Sequence, residues 1–235
     1  MIKLHSFGPA FGLIDASPFV SKVKFFMTLH SIDYEEVHDV DKLAKAPKQK
    51  FPYIEDGDNI VADSDAIIDY LSQKHDIDMD SWLSDEQKAL SHLLGKSLEE
   101  NLYWCLVHSR WVDDQTWPKV RSNFFDDMPF PLNKIVPVIA RRGTIKRING
   151  HGMGSHSNQE ILDIAERSFE SLSKLLGDKP YFFGDKPSRF DLVAFSQISA
   201  HTLCTLDSPM IKLSRKHKNL LNYTQGIQEQ FFRRL

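Results

Sequence analysis

Apolar and polar residues alternate through Ile2-Lys3-Leu4-His5-Ser6-Phe7, the pattern of a half-buried β-strand. A loop holding Gly8, Pro9 and Gly12 follows. From Pro18 the period changes: Val20, Val23, Phe26, Met27 and His30 recur on one helical face, with Pro18 tolerated in the first turn. Tyr34 to Val37 reads as a second strand, and a strand–helix–strand opening predicts a parallel pair joined by a right-handed crossover. A short Lys/Ala-rich turn or helix covers Asp41 to Ala46. Phe51-Pro52-Tyr53-Ile54-Glu55, a turn at Asp56-Gly57-Asp58 and Asn59-Ile60-Val61-Ala62 then give a hairpin signal with proline at its head. Asp63 caps a helix carrying Ala66, Ile67, Tyr70 and Leu71.

From Trp82 onward the pattern is helical, with no convincing strand. Glu86 to Val112 reads as one long helix, and Thr116 to Arg142 as a Pro-broken stretch of more than one helix. Arg147 to Ser157, with Gly150, Gly152 and Gly154, is expected to be a loop. Ser157 and Glu160 form a capping box before Ile161, Ile164, Ala165, Phe169, Leu172 and Leu176. Ser188 and Asp191 set up a similar cap before Leu192, Phe195 and Ile198. The expectation is an α/β domain over residues 1–78 and an all-helical domain over 84–235, meeting in the polar stretch Asp76 to Ser84.

Charge and cysteine usage narrow the function classes. A formal net charge of −3 supplies no global basic field for nucleic acid or an anionic membrane. No stretch reaches the roughly 18 apolar residues of a membrane span, and the apolar run of the opening MIKLHSFG is too short for a signal peptide. Cys105 and Cys204 form neither a CxxC pair nor a disulfide framework, so a reduced cytoplasmic setting is expected, with both thiols buried and inert. His151 and His156 flank glycines without a Cys or carboxylate cluster, so no metal is expected. Gly150-x-Gly-x-Gly follows no strand and is not a dinucleotide fingerprint. Arg141, Arg142, Lys146 and Arg147 read as a solvated face, with an anion contact as the alternative.

Three segments in order carry a resemblance: Ser17-Pro18-Phe19-Val20-Ser21-Lys22-Val23, Lys50-Phe51-Pro52-Tyr53-Ile54 and Asp63-Ser64-Asp65-Ala66-Ile67. With the βαβ–ββα order they resemble the thioredoxin-like domain of glutathione transferases. The helical remainder fits that family too, and Phe183-Gly184-Asp185-Lys186-Pro187-Ser188-Arg189-Phe190-Asp191 looks like its capping motif. Asn101-Leu102-Tyr103-Trp104, Ser109-Arg110-Trp111 and Gly150-His151-Gly152-Met153-Gly154-Ser155-His156-Ser157 resemble the failed axon connections and metaxin-like branch, which usually has Arg where Ser155 stands. The resemblance implies a thioredoxin-like α/β domain (βαβ-α-ββα) followed by an all-α domain. It further implies glutathione as co-substrate, a small electrophile as second substrate, a detoxifying role and a homodimer. Its alternative is a non-catalytic binding or scaffold protein of the metaxin-like type.

Each part of glutathione asks for a different partner. Redoxin relatives place two cysteines where this chain has Ser17-Pro18-Phe19-Val20, so dithiol exchange from that position is excluded. A serine hydroxyl at a helix N-terminus, aided by the helix dipole, favours a bound thiolate over a thiol. Ser17 is therefore the catalytic candidate, acting on the substrate's own nucleophile; it also reads as a plain N-cap, and both can hold together. Ser21 and Ser6 are lesser candidates. The resemblance implies a cis Phe51–Pro52 bond, with the Phe51 backbone pairing with the cysteinyl unit like an added strand; a trans edge-strand proline is the alternative. Asp63 and Ser64 at a helix mouth suit the γ-glutamyl carboxylate, with Asp63 or Asp65 facing the ammonium, or else simply cap the helix. Lys50 would meet the glycyl carboxylate or remain solvated. Tyr103, Trp104, His108 and Trp111 are candidates for an electrophile pocket. Trp104, His108 and Trp111 share a helical face, the spacing also of an ordinary core stripe.

Overall fold

The computed structural model describes residues 1–38 and 40–233. Its sheet has the order β2-β1-β3-β4, built from β1 (Ile2–His5), β2 (Tyr34–Val37), β3 (Tyr53–Asp56) and β4 (Asn59–Ala62). β1 and β2 run parallel with Ile2 opposite Tyr34, joined by the crossover helix α1 (Pro18–Leu29). β3 is antiparallel to β1, and β4 to β3, so that His5, Tyr53 and Ala62 lie side by side across three strands. Helix α2 (Ser64–His75) leaves directly from the end of β4. The Lys/Ala-rich stretch forms a 3₁₀ helix at Val40–Lys45, and a second 3₁₀ turn follows at Pro47–Gln49.

Everything described after the sheet and α2 is helical or loop. Helices α3 (Asp85–Ser97) and α4 (Tyr103–Trp111) are one continuous rod, interrupted by a π-helical turn at Leu98–Leu102. Next come α5 (Trp117–Phe125), α6 (Leu132–His151), α7 (Asn158–Leu176), α8 (Arg189–Thr202), α9 (Pro209–Ser214) and α10 (Lys218–Phe231). Capping boxes start α3 at Ser84 and Gln87, α7 at Ser157 and Glu160, and α8 at Ser188 and Asp191. The expected loop from Arg147 to Ser157 is largely helix. α6 runs through Gly150 to His151 and stops at Gly152, whose φ of 100° is open to a residue without Cβ. A 3₁₀ turn at Met153–Ser155 then leads into α7.

Helix α8 is buried on every side from Phe190 to Thr202. A helix without a polar face belongs in the middle of a molecule, and here α1 packs along it, with the Phe25 and Phe195 rings 5.1 Å apart. The two layers thus share one core, and α1, which carries the first candidate residues, is pinned between sheet and helical layer.

Candidate functional site

The register gathers the three sequence segments at one end of the sheet. Because β3 is antiparallel to β1, the start of β3 sits beside the end of β1, and the end of β4 lies on the other side of the start of β3. The loop that leads to Ser17, the Phe51–Pro52 peptide and the mouth of α2 therefore leave the sheet at a common edge. Cross-contacts close this edge. The Asp63 N–H donates to the Pro52 carbonyl at 3.4 Å, the Phe7 and Phe51 rings meet edge to face at 5.0 Å, and Lys22 Nζ lies 3.4 Å from Ser64 Oγ.

At the mouth of α1, Ser17 is half-buried with an extended backbone, and its hydroxyl makes no capping hydrogen bond. The simple N-cap role is thus not the one its side chain plays. Ser21 Oγ donates to the Ser17 carbonyl at 3.2 Å, and Ser21 and Ser6 are both buried, whereas Ser17 is partly exposed. The loop before Ser17 is held by Asp15, whose carboxylate accepts from the N–H of Gly8 and of Ser17, each at 2.9 Å. Burial raises the Asp15 carboxyl to about 6, against the opposing pull of Lys24 and of those two N–H groups.

The Phe51–Pro52 peptide is cis. The Phe51 ring is buried against Phe7 and Tyr53, while among the described residues its backbone N–H and C=O have no backbone partner. Lys50, next to it, is exposed. At the mouth of α2, the Asp63 carboxylate accepts from the Asp65 N–H at 3.0 Å and so caps the helix. Asp63 adopts φ 95°, a conformation that side-chain residues seldom take. Ser64, buried, presents its hydroxyl to Lys22.

A charged cluster that sequence reasoning missed surrounds that mouth. Lys22, 1% exposed, pairs with Asp65 and Glu99, each at 2.6 Å. Lys96 bridges the same two carboxylates at 2.7 and 2.8 Å, and Arg189 pairs with Asp69 at 2.6 Å. Burial alone would raise the Asp65 carboxyl, but Lys22 and Lys96 outweigh it and hold it well below the usual carboxylate range. Asp65, Asp69, Lys96, Glu99 and Arg189 border a cleft of ≈ 370 Å³ between α2, α3 and α8. A signal existed in the sequence: Lys22 and Lys24 stand within the mostly apolar run Phe19 to Met27, where buried lysines need partners.

The aromatic candidates separate. Tyr103 packs against Phe19 in the first turn of α1, ring centroids 4.8 Å apart, and so borders the Ser17 edge. Trp104 stacks on His151 at 4.6 Å, and Trp111 joins Trp117, Phe124 and Phe125. His108 is buried, and burial lowers its imidazole. The shared helical face of Trp104, His108 and Trp111 does not become a single wall, because α6 meets it at Trp104 and α5 at Trp111. Arg141 also differs from expectation: instead of lying on a solvated face it closes the C-terminus of α4, donating to the Trp111 and Val112 carbonyls at 2.9 and 2.8 Å. Cys105 and Cys204 are buried free thiols, and burial pushes Cys105 up to about 12.

Comparison with known proteins places this geometry in a family. Residues 18–116 match the profile of the glutathione S-transferase N-terminal domain, and residues 165–227 that of the glutathione S-transferase C-terminal domain. The chain is 31% identical to the isoprene-epoxide–glutathione S-transferase of Rhodococcus sp. (strain AD45), over 98% of this chain and 99% of that protein. It is 32% identical to Failed axon connections of Drosophila melanogaster, over 85% of this chain but only 50% of that protein. Among solved structures, the β-etherase LigF from Sphingobium superposes with a TM-score of 0.67 at 16% identity, covering 100% of this chain and 99% of the other. No helix among the described residues is long and apolar enough to cross a membrane. A thioredoxin-like sheet with its cis-proline edge, an all-helical second layer and full-length similarity to a transferase of this kind together show that the chain belongs to the glutathione S-transferase family, with relatives in its failed axon connections and metaxin-like branch.

Proposed function

We infer that the protein binds glutathione at this sheet edge and adds its thiolate to a small electrophile. The observation that carries the reading is the meeting of two helix N-termini, those of α1 and α2, around the Phe51 backbone, which has no backbone partner among the described residues. Each helix mouth offers N–H groups and a positive dipole end to an anion. In this reading the γ-glutamyl carboxylate sits at Ser64 and the cysteinyl unit pairs with the Phe51 backbone. The ammonium faces Asp63, whereas Asp65 is already engaged by Lys22 and Lys96. Lys50 meets the glycyl carboxylate. The sulfur is then left beside Ser17, whose uncommitted hydroxyl donates to the thiolate and lowers the cost of holding it ionised.

A small epoxide suits the second site, since the Rhodococcus relative is named for one. The thiolate attacks a ring carbon, the C–O bond breaks, and the resulting alkoxide takes a proton from water. Proximity and thiol ionisation do the work, with no covalent enzyme intermediate. Of the aromatic candidates, Tyr103 alone borders Ser17 and is the residue assigned to the electrophile side. Exposed apolar residues on the edge strand β4 (Ile60, 62% exposed) and on α3 (Leu93, 65%) support a homodimer, and two buried free thiols fit a reduced cytoplasmic setting.

The test is conjugation of glutathione to a small epoxide, followed by loss of free thiol. Ser17→Ala is expected to reduce turnover by about 10²–10³-fold, the usual effect of removing one preorganised donor; unchanged turnover would show that Ser17 is not the activating group. One observation favours a second reading. Phe130 (82% exposed), Ile135 and Ile139 make an apolar stretch at the start of α6, as a non-catalytic partner-binding scaffold of the metaxin-like type would need. A scaffold would neither bind nor consume glutathione.

A further inference from the structure

A single peptide unit just before α1 is held at both ends by buried charges of opposite sign. Its N–H, that of Ser17, donates to Asp15 Oδ1 at 2.9 Å, and its C=O, that of Ala16, accepts from Arg110 Nη1 at 2.8 Å. Asp15 is 1% exposed and Arg110 6%. They come from different layers, Asp15 from the β1–α1 loop and Arg110 from α4. The grip extends backward along the loop: the Gly8 N–H donates to Asp15 Oδ2 at 2.9 Å, and the Gly8 carbonyl accepts from the Ala16 N–H at 3.0 Å. Arg110 is itself anchored through Nη2 to the Ala200 carbonyl at 3.1 Å and lies over the Phe11 ring. Loop residues 8 to 17 are thus cinched against α8 and α4, and the free end of the clamped peptide is the Cα of Ser17.

Burying a carboxylate and a guanidinium is a costly way to fix one loop peptide, since neutral groups would satisfy the same N–H and C=O. What charged partners add is a shorter, stiffer bond and hence a fixed direction. We propose that Asp15 and Arg110 are positioning residues that aim the Ser17 hydroxyl, and that the ionised Asp15 carboxylate is the form that does so. The inference rests on the reading of Ser17 as the thiol-stabilising group. Charged and titratable groups facing Asp15 come from every element around it: Lys24 of α1, 3.7 Å from Oδ2; Glu36 and Tyr34 of β2; and Arg110 of α4. Lys24 is the ionic support of the carboxylate, and it is steadied by Glu36 at 2.7 Å and by the Ile14 carbonyl at 2.9 Å. Burial works against the ionised form and raises the Asp15 carboxyl to about 6.

The experiment measures the ionisation of glutathione bound to the intact chain, by thiolate ultraviolet absorbance against pH, beside calorimetric affinity for glutathione. The variants are Ser17→Ala, Asp15→Asn, Arg110→Met and Lys24→Met. Expected is a rise of about one unit or more in the bound-thiol pKa for Asp15→Asn and Arg110→Met, equal to a tenfold loss of thiolate at fixed pH, with glutathione affinity little changed. Lys24→Met raises the pH at which Asp15 ionises, so its thiolate deficit appears at neutral pH and disappears at higher pH. A role in stability alone predicts no such recovery, and Lys24→Met carries the test if Asp15→Asn does not fold. Should Ser17→Ala raise the thiol pKa while the Asp15, Arg110 and Lys24 variants leave it alone, the positioning role is wrong and the Ser17 reading stands. Should Ser17→Ala itself change nothing, the Ser17 reading fails and takes the positioning role with it.

Discussion

Two carboxylates of the candidate site, the buried Asp15 and the half-buried Asp65, are shifted in opposite directions. Asp65 is held low by Lys22 and Lys96, so its contribution to stability is present above its unfolded value near 3.8 and is lost as the pH falls. Asp15 is raised to about 6, so its contribution is full below its unfolded value of 3.8 and is lost as the pH rises through 6. At neutral pH the ionised Asp15 opposes folding by about 3 kcal/mol relative to its protonated form. Melting of the native chain and of Asp15→Asn at pH 7 and pH 5 checks this: the native chain is expected to gain on the variant as the pH falls. A constant difference between the two would show that Asp15 is not raised. That Ser17, Phe51, Pro52, Asp63 and Ser64 lie at neighbouring element boundaries was legible in sequence because each carries a local signature of a helix start or strand start. Asp15 and Arg110 were not, because their partners are backbone atoms of distant segments, and such a pairing leaves no pattern of spacing.

Helices in this protein are tied to one another by a few buried ions as well as by apolar faces. One such tie joins α1, α2 and the π-turn after α3 through Lys22, Asp65 and Glu99. Lys22→Ala leaves Glu99, 6% exposed, without its shortest partner, and a loss of about 3–5 kcal/mol is expected from breaking a buried pair on one side. Chemical denaturation measures it; a loss within the range of a surface salt bridge would show that Lys96 alone suffices. Most elements were readable from periodicity: four strands, the capping boxes of α7 and α8, and the long helix after Ser84. Two features were not. The glycines near the end of α6 suggested a loop, yet Gly150 sits inside the helix and only Gly152 adopts the left-handed stop. The aromatic stripe on α4 suggested a single wall, yet Trp104 stacks on His151 of α6 while Trp111 joins the rings of α5, because neighbouring helices meet the two ends of the stripe separately.

At the scale of the whole molecule, Arg110 and Glu99 carry the helical layer into the site formed by the sheet layer, which ties ligand binding to the packing of the two. A homodimer built on Ile60 and Leu93 predicts that Leu93→Asp shifts the chain toward monomer in sedimentation, with the far-ultraviolet spectrum unchanged; a native chain that sediments as a monomer would rule that surface out as a dimer interface. The central claim is that two helix mouths and the Phe51 backbone converge on one glutathione. Calorimetric titration of the folded chain with glutathione tests it most directly. Saturable heat is expected, with affinity reduced about tenfold or more in Ser64→Ala, as the loss of a hydrogen bond to a charged group requires. No heat at millimolar glutathione from the folded native chain would contradict it.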